Sequence, residues 1–166
     1  KKMIKHGQTR AILKDHNLAP KKRFGQNFLV HKQTAEAIVN AGKITDEDVV
    51  VEVGVGLGAL THPLAKSARH VFGYEIDRGI IRLHNDEGNL PQNVTLIHKD
   101  ILTEDFDELH DKCGRHLIIM ANLPYSISNP FIFKLLENAH LISKATIMLQ
   151  KEVAYRLIAS PGSKEY

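Results

Sequence analysis

The stretch "VEVGVGLGALT" (residues 51–61) decides the fold of this chain, because a buried apolar run ends there in closely spaced glycines. The run itself, "DVVVEVG" (48–54), predicts a buried β-strand. Gly54, Gly56 and Gly58 remove side chains at a sharp strand-to-helix turn, where backbone N–H groups can approach a ligand. The stretch therefore predicts the first strand of an open α/β sheet and a binding site at its carboxyl end.

Strand and helix patterns alternate on both sides of this turn, which is typical of a parallel α/β sheet. The predicted strands cover residues 48–54, 70–77, 93–100, 115–122 and 145–150. The predicted helices cover residues 31–42, 59–68, 78–86, 130–139 and 151–159. We expect Gly42 to end the first helix in the left-handed conformation. The sequence thus predicts an α/β, Rossmann-like fold with a mostly parallel sheet flanked by helices.

The composition fits a globular domain without a membrane span. The chain has 166 residues, of which 43% are hydrophobic, and this is enough to bury a core. No apolar run reaches about 18 residues and no apolar leader opens the chain, so we expect a cytoplasmic protein with no membrane partner. The single cysteine, Cys113, agrees with a reducing compartment. The ten histidines show no close ligand spacing, so we expect no metal.

Basic residues crowd the beginning of the chain. Eight lysines and arginines stand against one acid within residues 1–23, although the net charge of the whole chain is only +3. Such an asymmetry indicates a polyanionic partner. We expect a basic N-terminal segment over residues 1–30 and a Rossmann-like domain over residues 31–166.

Two further acids belong to the predicted edge of the sheet. Glu75 ends the second strand about 20 residues after the turn, where a carboxylate can bind both hydroxyls of a ribose. The spacing of Gly54, Gly56 and Ala59 fits a dinucleotide, but S-adenosylmethionine offers the same ribose diol, so the glycines leave both open. Asp100 ends the third strand and suits an adenine amino group, which favours S-adenosylmethionine a little. The alternative for Asp100 is that it caps a helix or turn through "ILTEDF" (101–106).

The stretch "ANLPYSIS" (121–128) follows the fourth strand and lies beside the same edge. The exocyclic amine of adenine is a poor nucleophile until acceptors hold its two N–H groups in the geometry of attack. The amide oxygen of Asn122 and the carbonyl of Leu123 can supply these acceptors. Pro124 fixes the backbone at the carbonyl, and Tyr125 can stack on a base that has left its helix. These residues favour methyl transfer to adenine with S-adenosylmethionine as the donor.

The ordered set of motifs resembles the rRNA adenine N6-dimethyltransferase family, and is most like its small-subunit branch. The matching motifs are "KKRFGQNFL" (21–29), "VEVGVGLGALT" (51–61), "YEID" (74–77), "HKDIL" (98–102), "ANLPYSIS" (121–128), "LQKEVAYRL" (149–157) and "SPGSKEY" (160–166). The resemblance covers the chain from about Lys21 to its end. It implies a class I S-adenosylmethionine-dependent methyltransferase that dimethylates two adjacent adenines in the 3′-terminal hairpin of 16S rRNA during assembly of the small ribosomal subunit.

The resemblance also implies roles for individual residues. The implied cofactor-binding residues are Asn27, Leu29, Gly54, Gly56, Glu75, Asp100 and Asn122. The implied catalytic residues are Asn122, Leu123, Pro124 and Tyr125, and the implied RNA-binding residues are Lys21, Lys22 and Arg23. Within these sets Glu75 would hold the ribose and Asp100 the adenine amine, while Asn122 would face both the cofactor and the target base.

Two features depart from the pattern of the family. Val55 stands where the family usually has proline, and because valine is stiff we expect a slight shift of the turn that affects cofactor affinity. The chain stops at "SPGSKEY" (160–166), before the last strands and the small C-terminal helical domain of the family. We therefore expect an N-terminal fragment of a longer enzyme.

Three other functions compete with this interpretation. A large-subunit rRNA adenine methyltransferase of the antibiotic-resistance type is the nearest, although its usual motif has Phe at the position of Tyr125. A non-catalytic ribosome assembly factor would not need the intact Asn122, Pro124 and Tyr125. A nicotinamide-dependent oxidoreductase is supported by the glycine spacing, but it leaves "NLPY" and "GQNFL" unexplained.

Overall fold

Parallel strands alternate with helices along the chain. The structure is a computed structural model that describes residues 32–123, 125–149 and 151–161. The helices are α1 (Lys32–Gly42), α2 (Thr61–Ser67), α3 (Arg78–Glu87), α4 (Phe106–Cys113), α5 (Tyr125–Glu137) and α6 (Lys151–Ile158). The strands are β1 (Val49–Val53), β2 (His70–Glu75), β3 (Val94–His98), β4 (Leu117–Asn122) and β5 (Ile142–Met148). Among the described residues, no helix is long and apolar enough to cross a membrane.

The five strands form one parallel sheet in the order β3–β2–β1–β4–β5. The chain moves outward from β1 to β2 and β3, and then crosses back to β4 and β5 on the other side of β1. The direction of winding therefore reverses between β1 and β4. Open α/β sheets bind ligands at the carboxyl ends of the strands beside such a reversal. The predicted Rossmann-like α/β fold is confirmed, and its site is expected at the ends of β1 and β4.

Alternating side chains of the central strands build a core on each face of the sheet. β1 is buried along its whole length, as expected for a central parallel strand. On one face, Val51 and Ile119 belong to a cluster with Phe131 of α5. On the other face, Val50 and Met120 belong to a cluster with side chains of α1 and α2. Helices on both faces thus hold the ends of β1 and β4 in fixed positions.

Helices α3 and α4 carry caps at both ends. The carboxylate of Asp77 accepts a hydrogen bond from the Gly79 N–H at 2.8 Å and begins α3, and Asp105 begins α4 in the same way. Gly88 and Gly114 end these helices in the left-handed conformation, with φ of 54° and 67°. Because only two residues separate the end of β2 from the start of α3, the Asp77 cap fixes the chain next to the end of that strand.

The end of α1 differs from the prediction. Gly42 is the last residue of the helix, and the left-handed residue is Lys43, with φ of 49°. A Cβ atom at Gly42 would lie 3.1 Å from the Sδ atom of Met120. Glycine is therefore explained at this position by close packing of the helix end on β4 and not by a left-handed cap.

Two other helices also differ from the prediction. Helix α5 begins at Tyr125, five residues before the predicted start, and contains Pro130. Pro130 is the sixth residue of this helix, so its missing N–H removes one helical hydrogen bond, the one that would reach the Ser126 oxygen. The sequence pattern does not predict α4 over Phe106–Cys113, because the helix or turn that it allows after Asp100 covers only residues 101–106. Its signals are the Asp105 cap and the buried pair Phe106 and Leu109, too short a pattern to distinguish from a loop.

Candidate functional site

The parallel sheet brings predicted site residues from four strands to one edge. Gly54 and Asn122 lie at the ends of the adjacent strands β1 and β4, and Glu75 is the last residue of β2. Asp100 follows the end of β3, the strand beyond β2. Because of the strand order, the four positions follow one another as Asp100, Glu75, Gly54 and Asn122. Neighbouring strands lie about 4.8 Å apart, so the row extends over roughly 14 Å.

The turn after β1 requires glycine for two reasons. Gly54, Gly56 and Gly58 have φ of 83°, 53° and 80°, a region that side chains with a Cβ atom rarely adopt. A Cβ atom at Gly54 would also lie 3.2 Å from the backbone oxygen of Asn122. The ends of β1 and β4 therefore approach each other closely, and the turn forms a backbone cradle without side chains.

Val55 faces the core side of this turn. Its side chain is only 3% exposed. A Cβ atom added to Gly73 in the middle of β2 would lie 2.6 Å from the Cγ2 atom of Val55, so the valine packs directly on that glycine. The residue that differs from the usual proline of the family thus occupies space left by Gly73, away from the open edge of the sheet.

Glu75 ties the turn to the start of α3. Its Oε2 atom accepts a hydrogen bond from the Gly56 N–H at 2.9 Å, and its Oε1 atom accepts one from the Asp77 N–H at 2.8 Å. Burial raises the pKa of the Glu75 carboxyl, the charge of Asp77 adds to this, and the two backbone hydrogen bonds oppose it. Each carboxylate oxygen has a second lone pair, so Glu75 can still accept hydrogen bonds from a ligand.

Asp100 caps the turn that follows β3. Its Oδ1 atom accepts a hydrogen bond from the Leu102 N–H at 2.9 Å. The hydroxyl of Thr103 donates to the backbone oxygen of Asp100 at 2.8 Å. The capping role that the sequence left open is therefore present. The cap holds the half-buried carboxylate in a fixed orientation beside the edge, and its contact with an adenine amine stays a prediction.

The structure describes only part of the motif that follows β4. Asn122 is half-buried at the end of the strand, and Leu123 is buried, with its N–H donating to the Met148 oxygen of β5 at 3.4 Å. Tyr125 is the first residue of α5. Several predicted site residues lie outside the described residues, and so does the predicted segment 1–30. These residues are Lys21, Lys22, Arg23, Asn27, Leu29 and Pro124.

Glu52 is a buried acid that the sequence analysis did not single out. It lies in the middle of β1 with no exposed surface, and neither of its side-chain oxygens has a hydrogen-bond partner among the described residues. Burial raises the pKa of Glu52 to about 8, and the charge of Glu75 adds to this. The hydroxyl of Thr61 is close enough to lower the pKa somewhat, although its geometry does not complete a hydrogen bond. The available signal was an acid inside the apolar run "VVVEV".

His84 is a second residue that the sequence analysis missed. Its Nε2 atom lies 2.7 Å from the backbone oxygen of Gly56, and its side chain is 3% exposed. The positions of Ile80, Leu83 and His84 share the buried face of α3, so burial of this histidine follows from helical spacing. Contact with a glycine turn 28 residues earlier does not follow from that spacing.

Comparisons with known proteins agree with this geometry. A family model described as ribosomal RNA adenine dimethylase matches residues 17–166. The ribosomal RNA small subunit methyltransferase A of Desulfotalea psychrophila is 63% identical over 164 residues, which cover 99% of this chain and 56% of the relative. The chain thus spans about half the length of the curated relatives it matches.

Two solved structures share the fold at about the same level of identity. A dimethyladenosine transferase from Plasmodium falciparum matches with a TM-score of 0.70 and 31% identity, covering 84% of this chain and 49% of that chain. The 23S rRNA methyltransferase ErmE matches with a TM-score of 0.67 and 30% identity, covering 78% of this chain and 50% of that chain. The sheet, the glycine turn and the residues at its edge thus occur in a chain that belongs to the ribosomal RNA adenine dimethylase family.

Proposed function

We propose that this chain belongs to an S-adenosylmethionine-dependent enzyme that dimethylates N6 of two adjacent adenines in the 3′-terminal hairpin of 16S rRNA. The observation that carries the proposal is the order of the site residues across the edge of the sheet. Asp100, Glu75 and Gly54 follow one another on β3, β2 and β1. The adenine, ribose and methionine parts of S-adenosylmethionine follow one another in the same order, and Asn122 comes next on β4.

The residues present fit this cofactor. The turn at Gly54 leaves no room for a Cβ atom, because a Cβ atom added to Gly54 would lie 3.2 Å from the backbone oxygen of Asn122. The turn therefore offers a ligand a cradle of bare backbone. Glu75 is an oriented carboxylate with lone pairs for a ribose diol. Asp100 is held by its own cap and offers a carboxylate to an amine. When bound, S-adenosylmethionine supplies a methyl group on a positively charged sulfur.

The chain's own residues orient the target base. The amide oxygen of Asn122 and the carbonyl of Leu123 would each accept a hydrogen bond from the adenine N6 amine, which leaves its lone pair directed at the methyl group. Asn122 ends a central strand, and Leu123 is buried against the core, so both acceptors are carried by a rigid element. Tyr125 would stack on the base, a contact worth about 1 to 3 kcal/mol.

Small-subunit rRNA is the proposed substrate, and the immature small ribosomal subunit is the proposed partner. The relative named for the small subunit is 63% identical to this chain, whereas the 23S rRNA methyltransferase is 30% identical. Tyr125 also differs from the Phe that is usual in large-subunit enzymes. The excess of basic residues within 1–23 supports contact with the RNA backbone. Such a substrate implies a cytoplasmic protein.

A methyl-transfer assay tests the proposal. Labelled S-adenosylmethionine is incubated with undermethylated small subunits or with large subunits, and the RNA is digested and assayed for N6,N6-dimethyladenosine. The full-length Desulfotalea psychrophila relative serves as the parallel enzyme. We expect product from small subunits, loss of most product with Asn122→Ala, and no loss with Asn40→Ala, an exposed asparagine on α1. Product from large subunits would favour the resistance-type function, and no product from either enzyme would favour an assembly factor.

A further inference from the structure

The glycine turn is held from both sides of Gly56. On one side the Gly56 N–H donates to Glu75 at 2.9 Å. On the other side the Gly56 oxygen lies 2.7 Å from the Nε2 atom of His84 on α3. The two peptide units that flank Gly56 are therefore both fixed by side chains from outside the turn. Since glycine has the most conformational freedom of any residue, these bonds decide which conformation the turn keeps.

The hydrogen bonds around His84 determine its protons. A backbone oxygen only accepts, so Nε2 must carry a hydrogen. The Nδ1 atom of His84 lies 3.0 Å from the Oδ1 atom of Asn89. The Nδ2 atom of Asn89 donates to the Glu87 carboxylate at 2.7 Å, which sets the orientation of the amide and turns its oxygen toward the imidazole. The imidazole is therefore held at both ring nitrogens, by the Gly56 oxygen at Nε2 and by Asn89 at Nδ1.

We propose that His84 is a positioning residue for the cofactor turn, and that its Nε2–H group holds the Gly56 peptide while Asn89 and Glu87 orient the ring. This inference rests on the proposed function, since it assigns the turn to S-adenosylmethionine. Without the Nε2–H donor the Gly56 oxygen loses its side-chain partner, and the glycine turn can leave the conformation that receives the cofactor.

The first measurement is made on the protein without cofactor. Side-chain nitrogen NMR shows which ring nitrogens of His84 carry a hydrogen. We expect a hydrogen on Nε2, the atom that faces the Gly56 oxygen. A His84 ring whose only hydrogen is on Nδ1 would overturn the inference, because Nε2 could then not donate to Gly56. This measurement does not depend on the cofactor.

The second measurement is calorimetric binding of S-adenosylmethionine. His84→Gln keeps an N–H donor for Gly56, and His84→Leu removes the donor. We expect His84→Gln to stay within about threefold of the wild-type affinity and His84→Leu to bind about tenfold more weakly, in line with the loss of one hydrogen bond to a backbone carbonyl.

Three results would contradict the inference. His84→Leu could bind as tightly as the wild type, which would mean that the turn keeps its conformation without the histidine. His84→Gln could bind as weakly as His84→Leu, which would reduce His84 to a packing residue. The wild type could fail to bind the cofactor, and in that case the proposed function fails too, while the NMR signal still reports whether Nε2 carries the hydrogen that faces Gly56. If His84→Leu does not fold by circular dichroism, the wild type and His84→Gln still decide.

Discussion

Replacing Glu52 by Gln should remove a pH dependence of stability that originates in the centre of the sheet. Glu52 lies in β1 between Gly73 of β2 and Met120 of β4, and it has no exposed surface. Burial raises its pKa to about 8, compared with 4.5 for an ordinary glutamate. The folded protein therefore keeps a proton on Glu52 over a pH range in which the unfolded chain has lost it.

The sign and size of the effect follow from this difference. Below about pH 4.5 both states are protonated, and the group does not oppose folding. As the pH rises from 4.5 toward 8 the unfolded state alone ionises, so the free energy of unfolding falls by about 1.4 kcal/mol for each pH unit. The full penalty is on the order of 5 kcal/mol above pH 8, and about 2 kcal/mol of it accumulates between pH 6 and pH 8, because the slope falls by half as the pH reaches the folded-state pKa.

Equilibrium urea denaturation at several pH values, followed by circular dichroism, measures this slope. Glu52→Gln keeps the shape of the side chain and cannot ionise, so its stability relative to the wild type should rise by about 2 kcal/mol between pH 6 and pH 8. Glu47→Gln, at an exposed position before β1, is the matched control and should follow the wild type. Parallel curves for wild type and Glu52→Gln would refute the reasoning, because Glu52 would then ionise alike in both states.

Three other changes test the site. Glu75→Ala should weaken binding of S-adenosylmethionine at least tenfold by calorimetry, because the ribose loses a charged acceptor worth about 1.5 to 3 kcal/mol; a smaller loss would contradict the assignment. Gly54→Ala should lower the free energy of unfolding by about 3 kcal/mol and also weaken cofactor binding, since it combines strain at positive φ with crowding against Asn122. Gly88→Ala, also at positive φ but with no atom within 4 Å of the new Cβ atom, should cost only about 1 kcal/mol and spare binding; equal effects of the two would rule out crowding. Alanine at all three basic residues of 21–23 should weaken binding to rRNA and flatten its salt dependence in filter-binding titrations, whereas an unchanged slope would mean that they do not contact phosphates.

The sequence was sufficient for the parts of the fold that repeat a simple pattern. The strand β1 could be predicted because a central parallel strand is apolar on both faces, and its end because glycines follow at once. The sequence also placed four site residues at one edge of the sheet, because every parallel strand presents its carboxyl end there. These residues are Gly54, Glu75, Asp100 and Asn122. The matching family model covers all four of these positions.

The details that failed depend on contacts between distant residues. Gly42 suggested a helix cap by residue type, and its actual role depends on the sulfur of Met120, which is nearly 80 residues away in the sequence. His84 could be placed on a buried face, but its contact with Gly56 requires knowing how α3 packs under the turn. Local patterns report the periodicity of an element and not which side chain of the neighbouring element it meets.

Glu52 and Glu75 show how two nearby buried carboxyl groups can differ in their hydrogen bonds. Glu52 has no hydrogen-bond partner among the described residues, whereas Glu75 accepts backbone N–H groups from Gly56 and Asp77. Burial raises the pKa of both carboxyl groups, the backbone hydrogen bonds oppose this shift at Glu75, and the charge of Glu75 raises the pKa of Glu52 further. The acid at the edge of the sheet is therefore held in one orientation by its own strand end and turn. A cofactor with a ribose diol then meets an acceptor that is already oriented, so little ordering is needed on binding.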